Sequence, residues 1–420
     1  MSEPTPRFHS LDVLRGIAIL GTLATNIWIF TNPEGLVGYL NRTAVAAGGW
    51  GWLEKVLQQL AQGKFLGLLT LMFGIGLAIQ QRSAARAGRP WPGGYPWRAA
   101  LLFLDGVVHY LLVVEFDVLM GYAVTGLVVA FVLASSERAQ RRWMIWAAAI
   151  HLGLLTLGTL ALVAEPARPA PPPLDPNPYA DGSWWDLVLF RIDNVVAFRI
   201  EPVFIFALSI ALFLLGAKLF RAGVLAPSGV RIRRRLMVLG LGVALPVDLL
   251  TGILAGDEGL LFTRYGTAPV VSLGLLALVA EFYCRRTRIG FCGSRLADVG
   301  RTALSCYVLQ NLVASALCYG WGLGLAARLS PDARVPATVA IYLGVGAVVI
   351  VAAHLWLRRF ERGPVEWLWH RSYLLLAGDG PVRRSGPGTP TASAVDPALQ
   401  VAVGTDPAEH EADSARSPVR

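Results

Sequence analysis

Residues 11–30 read LDVLRGIAILGTLATNIWIF, an almost wholly apolar stretch that contains three strongly polar residues. About 20 apolar residues are enough for a helix to cross a bilayer, so this stretch predicts a first transmembrane helix. Asp12 and Arg15 are three residues apart on one helix face, where they can pair. Asn26 lies roughly three turns beyond Arg15 and returns to that face. Polar residues inside a membrane helix often mark function, so this face is the first candidate site.

The composition of the whole chain is that of a membrane protein. Of its 420 residues, 55% are hydrophobic, a share that ordinary soluble domains do not reach with such long apolar runs. The formal net charge is +9. The arginines cluster between apolar segments, where orientation in the membrane explains them better than nucleic-acid binding does. The sequence therefore predicts the lipid bilayer as a partner, predicts no nucleic acid, and leaves the oligomeric state open.

Several other classes of protein are excluded by their missing signatures. Asp12 and Arg15 interrupt the first apolar stretch and no small-residue cleavage site follows, so we expect this helix to be retained rather than cleaved. The four cysteines lack zinc-ligand spacing and predict no disulfide framework. A Walker loop, a dinucleotide fingerprint and a metal-spaced cluster are absent from the sequence. We therefore predict no metal and no bound cofactor.

Ten apolar segments predict an all-α bundle of about ten transmembrane helices. They are residues 11–30, 64–81, 99–114, 118–134, 143–163, 202–219, 236–254, 265–283, 302–325 and 335–357. The loops between them alternate between arginine-rich and acidic, which by the positive-inside rule places both termini in the cytoplasm. An amphipathic piece at 52–60 is expected to lie at the membrane interface, and residues 183–200 form a second amphipathic piece.

This pattern divides the chain into four regions. Residues 1–164 form a first membrane half, and residues 165–200 form an extracytoplasmic, proline-rich loop with an amphipathic segment. Residues 201–378 form a second membrane half. Residues 379–420 are rich in Gly, Pro, Ser, Ala and acidic residues and predict a disordered tail, because they lack the apolar content to bury a core.

The third apolar segment carries the strongest candidate for chemistry. Asp105 and His109 are four residues apart and share a helix face, and Glu115 and Asp117 follow at a short turn. A histidine oriented by a carboxylate is a common general base, since its pKa lies near working pH. Alternatively, His109 is a packing histidine bonded to Asp105 or to a backbone carbonyl, and Asp117 caps a helix.

Further candidates each have a structural alternative as well. Arg15 could bind an anionic group of a substrate, or could simply pair with Asp12. Gln310 and Asn311 either contact substrate or link helices through hydrogen bonds. His151 is a lone histidine in its segment and is expected to be structural.

Five ordered motifs resemble the YeiB-like family of bacterial membrane proteins, and together they span nearly all of the chain. They are RFHSLDVLRGIAILGTLATNI, KFLGLLTLMFGIGLAIQQR, LDGVVHYLLVVEFDVLMGYAVTGL, RTALSCYVLQNLVASALCYGWGLGL and GPVEWLWH. The third contains a Gly–x–x–His that ends at His109, followed by Asp117, with Phe116 where the family has glycine. The last two resemble the family's C-terminal domain of unknown function.

That family is similar to a wider group of membrane acyltransferases, which includes acyltransferase family 3 and the heparan-glucosaminide N-acetyltransferases. In these, ten or more helices transfer an acyl group from cytoplasmic acyl-CoA. The Asp–x–x–Arg–Gly core of residues 12–16 resembles their first helix. Family 3 enzymes end this helix with a histidine, and the glucosaminide enzymes use a histidine in the following loop. This chain has Asn26 and no histidine in residues 31–63, which makes His109 the substitute candidate.

The resemblance implies an acyltransferase-like fold in the bacterial cytoplasmic membrane, with acyl-CoA as co-substrate. The enzyme would move an acyl group, expected to be acetyl, to a hydroxyl or amine of a small-molecule, glycan or lipid acceptor. Arg15 would bind phosphates or pantetheine, His109 would be the base with Asp105 or Asp117 behind it, and Asn26 would donate to the oxyanion. The alternatives are a transporter or exporter that uses these residues as a proton or substrate path, and a non-catalytic membrane partner.

Overall fold

The computed structural model describes residues 9–43, 46, 48–164, 172–256, 258–286 and 288–376. Within these residues all regular structure is helical. The first helices are α1 (His9–Phe30), α2 (Gly35–Leu40), α3 (Gly48–Ala61), α4 (Lys64–Arg86), α5 (Tyr95–Leu112), α6 (Leu119–Leu133), α7 (Glu137–Ala164), α8 (Trp184–Asp193), α9 (Val195–Phe204) and α10 (Phe206–Arg221). The later helices are α11 (Val230–Met237), α12 (Leu245–Leu254), α13 (Leu260–Phe262), α14 (Ala268–Cys284), α15 (Gly290–Arg301), α16 (Ala303–Cys318), α17 (Leu325–Arg328), α18 (Pro331–Leu357) and α19 (Pro364–Leu376).

Three irregular helical segments complete the helices of the described residues. A 3₁₀ turn, Pro227–Gly229, precedes α11. Two π-helical segments, Val238–Ala244 and Thr263–Thr267, join α11 to α12 and α13 to α14. A π-helix shifts the backbone hydrogen bonds by one residue and commonly occurs near functional sites.

Six helical segments of the described residues are long and apolar enough to span a membrane. They are His9–Phe30, Gly48–Arg86, Glu137–Ala164, Pro227–Leu254, Leu260–Cys284 and Pro331–Leu357. The pair α9 and α10, bent by 43°, makes a seventh if it counts as one span. The predicted all-helical membrane protein is therefore confirmed, whereas the predicted number of ten spans is not.

The other three predicted spans are short or polar. The helices α6 and α16 are apolar but have only 15 and 16 residues. The helix α5 contains Arg98, Asp105 and His109, which lower its hydropathy. The predicted segment 302–325 stops being helical at Cys318, because a glycine-containing turn follows in which Gly324 adopts a φ of +63°, a conformation that favours glycine.

The first helix lies at the centre of the bundle and packs against α4, α15 and α16. Its contact with α15 is close at two glycines, because a Cβ atom on Gly16 or Gly300 would collide with the backbone of Leu296 or Asp12, respectively. Small residues allow membrane helices to approach in this way. The polar face predicted for α1 is therefore held inside the protein.

Helices of the two predicted membrane halves pack against one another. The helix α4 of the first half packs along α10 and α14 of the second, and one hydrophobic cluster contains residues of both. The predicted tail, residues 379–420, lies outside the described residues, as do residues 165–171 of the proline-rich loop. The predicted boundary at residue 201 falls within α9.

The predicted amphipathic segment 183–200 forms α8 and most of α9. A capping box begins α8: the Asp186 N–H donates to Ser183 Oγ at 3.2 Å, and the Ser183 N–H donates to Asp186 Oδ2 at 2.8 Å. In α9 the side chains of Val196, Ile200 and Val203 are 82%, 69% and 73% exposed. These three residues, spaced by about one helical turn, form the exposed apolar stripe of α9.

Candidate functional site

His109 lies near the C-terminal end of α5, just before the tight turn that leads into α6. Its side chain is only 2% exposed. One turn earlier, Gly106 has no room for a side chain: a Cβ atom there would lie 2.6 Å from the backbone nitrogen of Met120 and 3.0 Å from Asp117 Oδ2. The glycine of the Gly–x–x–His motif therefore allows the start of α6 to pack directly against α5.

Both ring nitrogens of His109 have side-chain partners. Nδ1 lies 3.1 Å from Asp117 Oδ1, and Nε2 lies 3.2 Å from the amide nitrogen Nδ2 of Asn311. Because the Asn311 amide nitrogen is a donor, these partners favour the neutral tautomer that carries its proton on Nδ1. The lone pair of Nε2 then accepts the hydrogen bond from Asn311, and it can accept a proton, as a general base requires, only when that contact is exchanged.

Asp117 combines the two roles that the sequence left open. Its Oδ1 contacts His109, and its Oδ2 accepts a hydrogen bond from the Met120 N–H at 3.2 Å, which caps the start of α6. Asp105 does not share in this arrangement, since its Oδ2 has no hydrogen-bond partner among the described residues. Helical spacing made Asp105 a candidate and the short turn made Asp117 one, and the structure shows that the turn between α5 and α6 brings Asp117 to the His109 ring.

Two arginines that sequence reasoning passed over hold the turn in place. Arg191 of α8 is 1% exposed, and it donates to Glu115 Oε2 at 3.2 Å and to two carbonyls of the turn at 2.9 and 3.0 Å. Arg199 of α9 donates to the Asp117 carbonyl at 3.1 Å and to the Glu115 carbonyl. The available signal was the presence of arginines in a largely apolar stretch. Charged residues in such a stretch seldom face lipid, so they usually contact the protein interior.

Tyr307 of α16 lies beside His109 and forms part of the wall between two cavities. The centroids of the Tyr307 and His109 rings are 4.8 Å apart. The Asn26 cavity, about 320 Å³, lies at the C-terminal end of α1 and is lined by Thr22, Asn26 and Arg264, among others. The Arg15 cavity, about 260 Å³, lies towards its N-terminal end, with Arg15 and Arg98 in its lining. Tyr307 and Val118 line both cavities.

The remaining predicted residues fall on different parts of this arrangement. Arg15 pairs with Asp12, which is 6% exposed, at an N···O distance of 3.9 Å. Asn26 lines the Asn26 cavity, at the opposite end of α1 from Arg15. Gln310 Nε2 donates to Thr22 Oγ1 at 3.4 Å. This hydrogen bond links α16 to α1, which is the structural role that the sequence offered for Gln310 beside substrate binding.

The helices that build the site are therefore α1, α5, α6 and α16. The structure places α5 against α6, while α1 packs against α16, and α16 supplies Tyr307, Gln310 and Asn311 between them. Asn311 was predicted as a substrate ligand or a helix link, and its contact with His109 connects residues 202 positions apart.

Glu366 of the GPVEWLWH motif is a further residue that sequence reasoning passed over. Its Oε1 accepts hydrogen bonds from the backbone N–H groups of Leu304 and Ser305 at 2.8 and 3.1 Å, so it caps the start of α16. It also lines the Arg15 cavity. Burial raises the pKa of the Glu366 carboxyl, and its hydrogen bonds from Ser305 oppose that change.

The fold and its buried polar site define a polytopic, all-helical membrane protein. Residues 219–375 match the family model described as Protein of unknown function (DUF418). The chain is 30% identical over 393 residues to "Uncharacterized protein YeiB" of Escherichia coli (strain K12), an alignment that covers 88% of this chain and 97% of that protein. It is 28% identical over 399 residues to "Uncharacterized protein YxaH" of Bacillus subtilis (strain 168), covering 88% and 94%. The chain therefore belongs to the YeiB-like family, as its motifs predicted.

Proposed function

We propose that the protein is an integral membrane acyltransferase that moves an acyl group from acyl-CoA to a hydroxyl or amine acceptor. One observation carries the proposal: the His109–Asp117 pair is buried beside Tyr307, which lines both the Arg15 cavity and the Asn26 cavity. Two substrates that react at one base need two approaches to it. A wall between the approaches also keeps water from the thioester.

The proposal includes a membrane topology. The bent pair, α5, α6 and α16 would cross the bilayer together with the six long segments, giving ten crossings in the bacterial cytoplasmic membrane and an acyltransferase-like arrangement. The arginine-rich loops would then lie in the cytoplasm together with both termini. In this orientation the Arg15 cavity faces the cytoplasm, where acyl-CoA is available, and the Asn26 cavity faces the opposite side.

The reaction follows from the partners of His109. The acceptor oxygen or nitrogen attacks the thioester carbonyl carbon while His109 Nε2 takes its proton, and the Asp117 carboxylate stabilises the imidazolium. The tetrahedral intermediate then collapses with cleavage of the C–S bond, and the departing CoA thiolate takes the proton from His109. For the attack, Nε2 exchanges its contact with Asn311 for one with the acceptor. The amides of Asn26 and Asn311 are candidate donors to the oxyanion.

The Arg15 cavity has the groups needed to bind CoA. Arg15 and Arg98 both line it, and a guanidinium can bind a phosphate through two parallel hydrogen bonds. Asp12 lies 3.9 Å from Arg15, and Gln80 Oε1 accepts a hydrogen bond from Arg98 at 2.7 Å. Both arginines are therefore held at the cavity by neighbouring polar groups.

Thioester release by the purified protein tests the proposal. The protein is incubated with acetyl-CoA and a membrane extract, and free CoA is measured with a thiol reagent. We expect release that depends on the extract and is lost in His109→Gln at equal amounts of folded protein. A deletion strain should, in addition, lack one metabolite whose mass exceeds that of its precursor by one acyl group. Release that is the same with and without the His109 side chain would contradict the mechanism.

A transporter is the second candidate, and the two cavities favour it as well. Cavities at the two ends of α1 with a shared wall at Tyr307 and Val118 are also what alternating access would require. In a transporter, His109 and Asp117 would carry a proton rather than activate an acceptor. Proteoliposomes that accumulate a solute under a pH gradient without releasing CoA would favour this function.

A further inference from the structure

We propose that the Asn26 cavity binds the head group of an anionic, phosphate-bearing membrane lipid, which enters sideways beside α9 while its acyl chains stay in the bilayer. The identification of this lipid as the acceptor rests on the proposed acyl transfer. The binding site itself is inferred from charge, backbone conformation and exposure in the structure.

The Asn26 cavity has an excess of basic side chains. Its basic lining residues are Arg42, Lys55, Arg264 and Arg334, and its acidic ones are Glu54 and Glu201. A cavity lined by one sign of charge with walls of low dielectric concentrates ligands of the opposite sign. An anionic group is therefore the ligand that this lining favours.

Both acidic residues are already engaged with groups of the protein. Glu201 Oε1 accepts hydrogen bonds from Arg264 Nη2 and from the Tyr265 hydroxyl, each at 2.7 Å. Glu54 accepts from the Ala46 N–H at 3.1 Å and from Gln58 Nε2 at 2.9 Å. Glu201 thereby offsets Arg264, one of the four basic residues, and the cavity lining keeps two more basic than acidic side chains.

Arg42 stands at that mouth in an uncommon backbone conformation. Its φ is +52°, in the left-handed region that favours glycine. The next residue fixes the backbone, since the Thr43 N–H donates to the Gly38 carbonyl at 3.0 Å and Thr43 Oγ1 donates to Glu34 Oε2 at 3.0 Å. Strained residues of this kind cluster where ligands bind, and here the strain places a cation at the cavity.

The cavity also opens onto an apolar surface. Ile200 belongs to the exposed apolar stripe of α9 and at the same time lines the cavity. Leu40, which is 65% exposed, lines it as well. Exposed aliphatic side chains of a membrane helix face lipid acyl chains, so the cavity communicates with the hydrocarbon region at Ile200. A volume of about 320 Å³ suits a head group and not a whole lipid.

Native mass spectrometry of the full-length protein in detergent tests the site with three probes. They are phosphatidylglycerol, the zwitterionic phosphatidylcholine, and soluble glycerol phosphate. We expect phosphatidylglycerol to be retained more strongly than either of the others. The double variant Arg42→Gln/Lys55→Gln should reduce its retention by about tenfold, since each basic residue near a membrane surface contributes modestly to anionic lipid binding. Arg86→Gln/Arg89→Gln is the matched control, because it removes equal charge from residues outside the cavity lining and should change nothing.

A second pair of variants tests the sideways entry. Ile200→Trp should narrow the opening and lower phosphatidylglycerol retention, whereas Val203→Trp on the same apolar stripe should not. Equal retention of the two lipids, or equal effects within either pair of variants, would overturn the inference. Stronger retention of glycerol phosphate would also overturn it and indicate a soluble anionic acceptor.

Thioester release in the same preparations separates the lipid site from the proposed acyl transfer. Lipid binding without acyl transfer refutes only the enzyme, and transfer without lipid binding refutes only this site.

Discussion

Two histidines in the described part of the chain are buried, and their surroundings differ in kind. His109 and His151 are 2% and 3% exposed, so burial does not separate them. His109 has side-chain partners from two other elements, Asp117 and Asn311, and lies beside a wall shared by two cavities. His151 of α7 contacts one backbone carbonyl, that of Tyr265, at 3.0 Å. The two histidines therefore differ in the type of partner and in the surroundings of the ring, and not in burial.

The partner of His151 has a structural cause. Tyr265 lies in the π-helical segment Thr263–Thr267, where the hydrogen-bond register of the backbone changes. Inside a membrane protein a carbonyl without a partner is costly, so a side chain that satisfies it stabilises the fold. His151 Nε2 contacts the Tyr265 carbonyl, and its Nδ1 has no hydrogen-bond partner among the described residues. The ring can thus satisfy the backbone without any role in a reaction.

The largest effect on activity is expected for His109→Gln. Glutamine keeps a polar side chain of similar size but cannot accept a proton at neutral pH, and loss of a general base costs about 10²–10⁴-fold in rate. We expect thioester release per folded molecule to fall by that factor, with normal membrane insertion and normal acyl-CoA binding. A His109→Gln variant that is unstable but fully active per folded molecule would instead assign His109 a structural role, like that of His151.

Asp117→Asn and its matched control, Asp105→Asn, decide which carboxylate supports the histidine. Of these two carboxylates, Asp117 is the one that contacts His109. We therefore expect Asp117→Asn to lower the rate by about 10²-fold, because the imidazolium loses its counter-charge. The asparagine side-chain oxygen can still cap α6, so the yield of folded protein should change little. Asp105→Asn should leave the rate nearly unchanged, and the opposite ranking would contradict the role given to Asp117.

Arg15→Lys probes the cavity that the proposal assigns to acyl-CoA. Lysine keeps the charge and loses the planar fork that binds phosphate through two hydrogen bonds, so we expect acyl-CoA binding to weaken by about tenfold. The exposed Arg138, at the start of α7 and outside both cavity linings, provides the control Arg138→Lys. Binding isotherms of the two purified variants with acetyl-CoA make the comparison, and equal affinities would assign Arg15 a purely structural pairing with Asp12.

Much of this site was accessible from the sequence, and the reason is the rarity of ionisable residues in apolar helices. His109, Asp117 and Arg15 stood out because each interrupts or follows a run of apolar side chains. The choice between Asp105 and Asp117 could not be made, since helical periodicity supports Asp105 alone and the position of Asp117 depends on the path of the turn after α5. That turn depends in part on Arg191 and Arg199, which lie about 80 residues further along the chain.

Tyr307 and the number of spans show a second limit. A tyrosine in an apolar helix is common in protein interiors, and its position between two cavities follows only from the packing of α16. Hydropathy found the apolar segments but not where the helices end, so segment 302–325 was predicted as one helix although α16 stops at Cys318. The Gly–x–x–His motif was recognised from the family resemblance, and its physical reason, the close approach of Met120 to Gly106, required the structure.

His151→Phe is expected to have the smallest effect on activity, and it completes the comparison. Phenylalanine has a similar ring but no N–H, so the Tyr265 carbonyl loses its partner at a cost of about 1–3 kcal/mol. We expect a lower Tm in detergent and an unchanged rate of thioester release per folded molecule. His151→Gln should recover part of the stability, because its amide can donate to the same carbonyl. The helix α7 packs against the segment that carries Arg264 and Tyr265, which line the Asn26 cavity. The substitution could therefore disturb that cavity, so phosphatidylglycerol binding is measured in the same preparations. A loss of activity in His151→Phe at unchanged stability and head-group binding would mean that both buried histidines take part in the reaction.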